Sequence, residues 1–555
     1  MADQAVQDPS DPYARLAQTF PKLTAEQIER IAGYGTTETL GKGEPLFRRG
    51  DRGVDFFVLL QGSIEITDPG TTGHEEIIHV HEAGQFTGEV DLLNGHEILV
   101  GGRAGADCRV IRVRRDAFRR MLEAESDISE VVMRAFILRR VGLIGHGQGG
   151  VVVIGSSHCA DALRIQRFLT RNGYPHRMLG TDVDAETADI LKSLQVTSEQ
   201  LPVVLLPGEF VLSNPTTPQL ADALGLTESF EPGQVYDLVV VGAGPAGLAA
   251  AVYGASEGLD TLVIEPLAPG GQAGTSSKIE NYLGFPTGIS GEALAGRAQV
   301  QAQKFGARLA ISRRVTGMEC DRNPFRIELE DGQSVSTRSV VIATGARYRT
   351  LDVENYERFE GQGIHYAATW MEGNLCVGEE VVVVGGGNSA GQAAVFLSQQ
   401  AKHVHILVRG EGLAATMSDY LIQRIDASPK ITLHPFTEIT GLSGKHFLEE
   451  VTWTNRETGE AETKAVGNVF VMIGAVPNTD WLDGCIPLDR GGFVITGRDS
   501  EGMALSSPYA TEKEGIFAVG DVRSGSTKRV ASGVGEGSVV VSSIHAYLAG
   551  VEAVP

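Results

Sequence analysis

The chain has 555 residues, 42% hydrophobic and 21% charged, the balance of an ordinary globular protein, and at roughly 100 to 200 residues per domain it is long enough for three or four cores. Its 47 basic and 70 acidic residues give a formal charge of −23, which repels phosphate backbones and argues against nucleic acid as the main partner. No run approaches the roughly 18 apolar residues of a membrane span, and the start MADQAVQDPSDPY lacks the basic flank and apolar stretch of a secretory signal, so the expectation is a cytoplasmic protein without membrane attachment.

From about Tyr13 to Arg140 the chain reads as short strands with Gly-rich turns, as in the alternating GEPLFRRGDRGVDFFVLLQGSIEI, and closes on FRRMLEAESDISEVVMRAFILRR, apolar at helical spacing. This pattern resembles a cyclic-nucleotide-binding domain, which implies a β jelly-roll barrel with flanking helices over residues 1–145. That family's cassette needs a Gly-Glu pair for the ribose hydroxyl and, about nine residues on, an Arg for the cyclic phosphate. The stretch GQFTGEVDLLNGHEILVGGRA supplies Gly88 and Glu89, the candidate ligand residues, but the Arg position falls on Ile98, and Arg103 substitutes only if the loop is rearranged. A cyclic phosphate buried without a cation loses a charge-assisted hydrogen bond and pays desolvation, so a barrel kept for docking or dimerisation is favoured over one that binds a cyclic nucleotide.

Residues 149–230 open with the strand VVVIG, pass through SSHC into an amphipathic helix ending at Asn172-Gly173, and later show Pro202 before the strand VVLL. The order resembles a thioredoxin or glutaredoxin fold, an α/β thioredoxin-like domain in which that proline is usually cis. The redox motif would be SSHC. Its attacking position is Ser156, and only Cys159 keeps sulfur, so dithiol exchange is not expected and Cys159 reads first as a buried core residue.

The stretch YDLVVVGAGPAGLAAAVYGASEGLDTLVIE is a strand, the turn Gly242, Gly244, Gly247 with Pro245 and Ala246 between, a small-residue helix, and a second strand ending in Glu265. Such glycines let a pyrophosphate reach a helix N-terminus while the acid accepts from ribose hydroxyls. A second unit, EEVVVVGGGNSAGQAAVFLSQQAKHVHILVRG, carries Gly385, Gly387, Asn388, Ser389 and Ala390. Two Rossmann-like α/β units point to two dinucleotides, a bound flavin and a diffusible nicotinamide.

The whole of 235–555 resembles a low-molecular-weight thioredoxin reductase. The resemblance implies FAD contacts at Gly271, Gln272 and Asn281 in PGGQAGTSSKIENYLGFP, and a crossover at Thr344 and Gly345 in VVIATGARYR. It also implies a second FAD motif at Gly520 and Asp521, and flavin-ring contacts at Arg529, Val530 and Ala531. It divides the body into an FAD domain, 235–348 and 485–555, around an NAD(P)H domain at 349–484, and implies a homodimer. The family's NADPH-selecting H-R-R cluster is reduced to Arg409 in LVRGEG, with Glu411 suited to a free ribose hydroxyl; NADPH is the slight preference, with NADH open.

The family's YCATC dithiol falls on GIHYAATWMEG, where Ala367 and Trp370 occupy the cysteine positions. The five cysteines, Cys108, Cys159, Cys320, Cys376 and Cys485, are scattered and contain no C-x-x-C, which excludes a disulfide framework and a cysteine-rich zinc site; no metal is expected, and Cys376 reads as structural. The indole of Trp370 would offer a stacking surface that closes or shapes the space of the dithiol, and His365 is either a proton donor near the ring or a packing histidine. Three functions follow. The favoured one is an NAD(P)H-dependent oxidoreductase passing electrons from FAD to a non-dithiol acceptor, a small molecule or redox protein. The others are a disulfide reductase using Cys159 and a flavin- or nucleotide-responsive sensor.

Overall fold

A computed structural model describes residues 12–552 apart from 69–74, 95–96, 157–158, 182–185, 195, 207–210, 229, 232, 277, 361, 367, 369, 446 and 483. The chain forms two compact units, Met1–Ser229 with Gln299–Ser312, and Phe230–Ala298 with Arg313–Pro555.

The first unit begins with a β-roll. Cys108–Val113 buries all its residues except Arg109 and Arg112, so both of its faces are partly covered, and it pairs antiparallel with Thr36–Leu40 and Phe56–Gln61. A second antiparallel sheet orders Pro45–Phe47, Gly101–Ala104, Ile64–Asp68 and Glu76–His81. The helix Ser126–His146 lays Ile128, Val132, Ala135 and Phe136 on the core and stops at Gly147, whose positive φ of 62° suits a residue without Cβ. The rings of Phe56, Phe86, Phe118 and Phe136 fill the centre, each buried phenyl contributing about 1.5–3 kcal/mol.

In the following segment Val151–Gly155 pairs parallel with His176–Gly180 through the helix Ala160–Arg171, while Val203–Leu205 and Val211–Ser213 add on antiparallel. The Leu201–Pro202 peptide is cis, and Gly155 is close enough to Pro202 that a Cβ would lie 2.9 Å from the proline's.

The second unit holds two parallel sheets. In one, Thr261–Glu265, Val235–Val241 and Ser334–Ile342 run side by side, with Ile516–Ala518 parallel to the last and the hairpin Phe325–Leu329 and Val315–Glu319 extending the sheet. In the other the order is Ile364–His365, Asn468–Val471, Glu380–Val384, His403–Leu407, Ile431–His434, all parallel. Near-continuous burial of VYDLVVV and EVVVV marks strands covered on both faces. Two short strands, Ala346–Tyr348 and Ala475–Pro477, pair antiparallel where the chain crosses between the sheets.

One expectation is corrected. Cys320 and Cys485 form a disulfide, with Cα atoms 6.1 Å apart. Their separation of 165 residues hid it, because the fold alone brings the end of Val315–Glu319 beside Asp480–Leu482. Among the described residues no helix is long and apolar enough to cross a membrane, and no cluster of His, Cys, Asp or Glu could hold a metal.

Candidate functional site: two dinucleotide cradles

The first cradle lies at the carboxyl end of Val235–Val241. Gly242 has φ 107°, and a Cβ there would sit 2.4 Å from the Ala343 carbonyl oxygen; at Gly247 it would sit 1.9 Å from the Gly242 carbonyl oxygen. Both positions therefore require glycine, one for its conformation and one for close approach. Gly244 caps the helix Pro245–Ser256 with extended backbone, and a Cβ there would meet only Gly271 Cα at 4.0 Å; the first-turn N–H groups, which have no partner within a helix, suit a pyrophosphate. Glu265, 8% exposed, is aimed by three backbone donors: Ala243 N–H at 2.9 Å, Leu267 N–H at 3.1 Å and Ala268 N–H at 3.3 Å. Its carboxylate is fixed by these bonds at the end of the strand Thr261–Glu265, beside the cradle.

Close helix packing brings the second predicted motif here. The helix Val530–Glu552 crosses Pro245–Ser256 so tightly that a Cβ on Gly537 would lie 2.1 Å from the Ala246 carbonyl oxygen. Gly520, at φ 76°, rests on Ala246, and Asp521 next to it is half-buried with its pKa raised by burial. Val530 and Ala531 form the first turn of that helix; Arg529 before it is exposed. Gly271 completes the wall, with a Cβ position 3.0 Å from Gly244 Cα, and the Gln272 side chain donates to the Ala346 carbonyl. Asn281 is exposed. Gly242, Gly244, Gly247, Gly271 and Gly520 thus meet around Ala246, whereas Asn281 and Arg529 lie exposed; the glycine-lined floor, the carboxylate at the strand end and the helix N-terminus fit FAD.

Sequence reasoning missed what holds these segments. Glu536 accepts from the Gly520 N–H at 2.6 Å and pairs with Arg523, Nη2 at 2.9 Å and Nε at 3.1 Å, the two side chains being only 10% and 15% exposed. Glu536→Ala leaves the Arg523 charge buried without its carboxylate and frees the Gly520 loop. We expect a loss of about 3–5 kcal/mol in chemical denaturation, with parallel loss of flavin on gel filtration.

The second cradle repeats the plan. Gly385 has φ 135° and a Cβ position 2.3 Å from the Met472 carbonyl oxygen, and Ala390 packs against it in place of a third glycine. Gly387 caps the helix Asn388–Leu397, with Asn388 and Ser389 exposed on its first turn and the Asn388 side chain accepting from Ser418 N–H at 2.7 Å. Arg409, Gly410 and Glu411 lie exposed just past His403–Leu407, where the adenosine end of a nicotinamide dinucleotide falls in such folds.

The crossover residues are stitched together. Thr344 Oγ1 donates to the Asn478 carbonyl at 2.8 Å and Asn478 Nδ2 donates to the Thr344 carbonyl at 2.9 Å, while Asn478 N–H reaches Gly345. Glu280 of the flavin loop pairs with Arg424 of the nicotinamide half at 2.8 Å.

At the dithiol place, Ala367 lies outside the described residues. Trp370 starts the helix Trp370–Leu375 and is 70% exposed, so its indole stands out from the surface and does not fill a cavity, contrary to expectation. His365 is 2% exposed and Nε2 lies 2.9 Å from the Asn468 amide oxygen, beside Phe470; its geometry is that of the packing alternative. Cys376 is fully buried, donates to the Glu372 carbonyl, and has its thiol pushed up to about 12 by burial. Tyr366, which precedes the dithiol position, belongs to a tyrosine cluster: it stacks on Tyr348 with centroids 5.3 Å apart, accepts from the Tyr356 hydroxyl at 2.9 Å and donates to Glu360 at 2.7 Å.

Residues 236–537, more than half of the chain, match the family model of the pyridine nucleotide-disulphide oxidoreductases. The chain belongs to this family. Residues 37–125 match the cyclic nucleotide-binding domain. The chain is similar to NADPH-dependent thioredoxin reductase 3 of Arabidopsis thaliana, 32% identical over 61% of this chain and 65% of that protein. It is also similar to an NADH dehydrogenase of Bacillus subtilis, 30% identical over 63% and 66%. It therefore spans about two thirds of the length of these relatives, just short of that fraction in both. The thioredoxin reductase of Lactococcus lactis, solved in its FR conformation, matches over 57% of this chain and 99% of its own, with 32% identity and a TM-score of 0.52. The family uses FAD and NAD(P)H.

Proposed function

We propose that the chain is an NAD(P)H-dependent flavoprotein that passes electrons from FAD to an acceptor that is not a dithiol. The observation that carries this is the sulfur inventory: the dithiol positions hold Ala367 and Trp370, Cys376 is buried, and Cys320 is already paired with Cys485. Gly242, Gly244, Gly247, Glu265 and Asp521 would hold FAD, which supplies a ring that takes a hydride from nicotinamide and releases electrons singly or in pairs. The remaining work of the chain is positional. Gly385 and Gly387 would seat the nicotinamide dinucleotide, and the Thr344–Asn478 stitch keeps the two cradles in register. The exposed Trp370 marks the surface at which an aromatic acceptor, a quinone or the edge of a redox protein would meet the site. Arg409 favours NADPH, and a homodimer is the expected assembly.

A second reading rests on Cys159. It is partly exposed at the start of Ala160–Arg171, in a segment whose strand order fits a thioredoxin-like fold, so a disulfide reductase using Cys159 is the alternative. Stopped-flow reduction by NADPH and NADH, then turnover with a quinone and with a disulfide probe plus thioredoxin, separates the two. We expect rapid flavin reduction and quinone turnover, no disulfide turnover, and Cys159→Ser indistinguishable from the parent. Disulfide turnover that vanishes in Cys159→Ser would overturn the proposal, and no reduction by either nucleotide would favour a sensor.

A further inference from the structure

The β-roll has spent the groups a cyclic nucleotide would need. Glu89, 3% exposed, accepts from Arg140 Nε at 2.9 Å, and Asp91 shares the same guanidinium, so burial and the neighbouring carboxylate hold Glu89 above the usual carboxylate range. Ile98, at the family's arginine position, is 3% exposed and apolar. Arg103 is tied to Glu65 at 2.8 Å and to Glu75, and does not turn toward the cavity.

A cavity nevertheless persists. Phe47, Ile66, Ile78, Ile98, Val100 and Leu143 supply its apolar wall, and it holds about 530 Å3 of space between atoms, part of it open to solvent, of which about 40 Å3 is wide enough for water. That is room for about three waters or one slim chain or ring. A purine nucleotide is far bulkier.

One end of this apolar slot is cationic. Arg139, 5% exposed, lines it and is held by donation from Nε to the Thr19 carbonyl at 3.0 Å and from Nη1 to the Gly88 carbonyl at 2.8 Å. Phe20 and Phe86 lie 5.1 Å and 4.7 Å from the guanidinium carbon and hold it flat. Its Nη2 has no hydrogen-bond partner among the described residues, and neither do His79 Nε2 or His81 Nδ1, whose rings also line the slot. The carboxylate on the wall, Glu89, already answers Arg140. The buried guanidinium feels the field of Glu89 and bonds two carbonyls, and its Nη2 is the group left to meet an anion.

We propose that the β-roll binds a small amphipathic carboxylate, an aliphatic chain or single ring seated between Ile98 and Leu143 with its anion on Arg139. The planar fork pairs with carboxylate geometry, and the two imidazoles supply further donors or acceptors at the same end. The barrel is then a receptor whose phosphate cassette has been closed and whose hydrophobic slot has been kept.

The test is titration calorimetry of the full chain with octanoate, 1-octanol and cyclic AMP. We expect one octanoate per chain, bound at least about tenfold more tightly than 1-octanol because only the acid forms the charge-assisted bond. Arg139→Gln should weaken octanoate by about tenfold or more and leave 1-octanol unchanged. Because Arg139 also braces Phe20 and Phe86 and could be needed for folding, Val54→Phe, which fills the slot from a partly exposed position, serves as the second variant and should abolish binding of both. Equal affinity for the acid and the alcohol, no binding of octanoate, or displacement of octanoate by a tighter cyclic AMP would each overturn the proposal.

Discussion

Gly247→Val is expected to yield a colourless protein. The substituted Cβ would lie 1.9 Å from the Gly242 carbonyl oxygen and 3.2 Å from the Ala343 side chain, so the helix Pro245–Ser256 must move away from the strand that ends at Val241. That movement carries the Gly244 cap and the first-turn N–H groups off the pyrophosphate position, and it also separates Ala246 from Gly520 and Gly537, which pack on it. Overpacking of this kind costs about 1–3 kcal/mol and often more, and each 1.4 kcal/mol is tenfold in affinity. Flavin absorbance per purified chain should fall more than about tenfold, with circular dichroism close to that of the parent. Retention of full flavin content would show that Gly247 is not part of an FAD cradle.

Gly385→Val separates the second cradle from the first. Valine cannot adopt φ 135° without strain, and its Cβ would meet the Met472 carbonyl oxygen at 2.3 Å. The disturbance lies in the nicotinamide half, whereas Gly242, Glu265 and Asp521 keep their surroundings. The variant should therefore purify yellow, at parental flavin content, yet be reduced by NADPH about a hundredfold more slowly, since a misplacement near 1 Å costs about that much. Chemical reduction by dithionite should stay normal. A parental rate with NADPH would remove Gly385 from the nucleotide site and with it the case for two cradles.

Much of this architecture was legible in the order of residues. VYDLVVV and EVVVV are apolar along their whole length because both faces are covered, and each is followed by glycines whose positive φ or close approach the structure shows at Gly242, Gly247 and Gly385. Local pattern fixes such units. It could not announce the bonds that join distant segments. Cys320 with Cys485, Glu536 with Arg523, Asn478 with Thr344 and Glu280 with Arg424 depend on which turns meet, and single cysteines or acids carry no periodicity. Trp370 differs from expectation for a related reason: its place in the family's motif points it at the dithiol space, but whether a helix start faces inward depends on packing that its neighbours in sequence do not encode. In the β-roll, the loss of an arginine at Ile98 was readable, while Arg139 escaped notice because it lies 41 residues further on, in a helix that reads as a simple amphipathic cover.

The paired strands Ala346–Tyr348 and Ala475–Pro477, with Thr344 and Asn478 exchanging bonds at their foot, have a mechanical meaning. Both chain crossings between the two cradles leave the flavin half as one two-stranded ribbon. Such a ribbon twists and bends at little cost, whereas stretching or splaying it breaks hydrogen bonds. A torsion about the ribbon is the motion of the second half that leaves the ribbon's own bonds whole, and the Glu280–Arg424 pair is the link that such a turn would strain first.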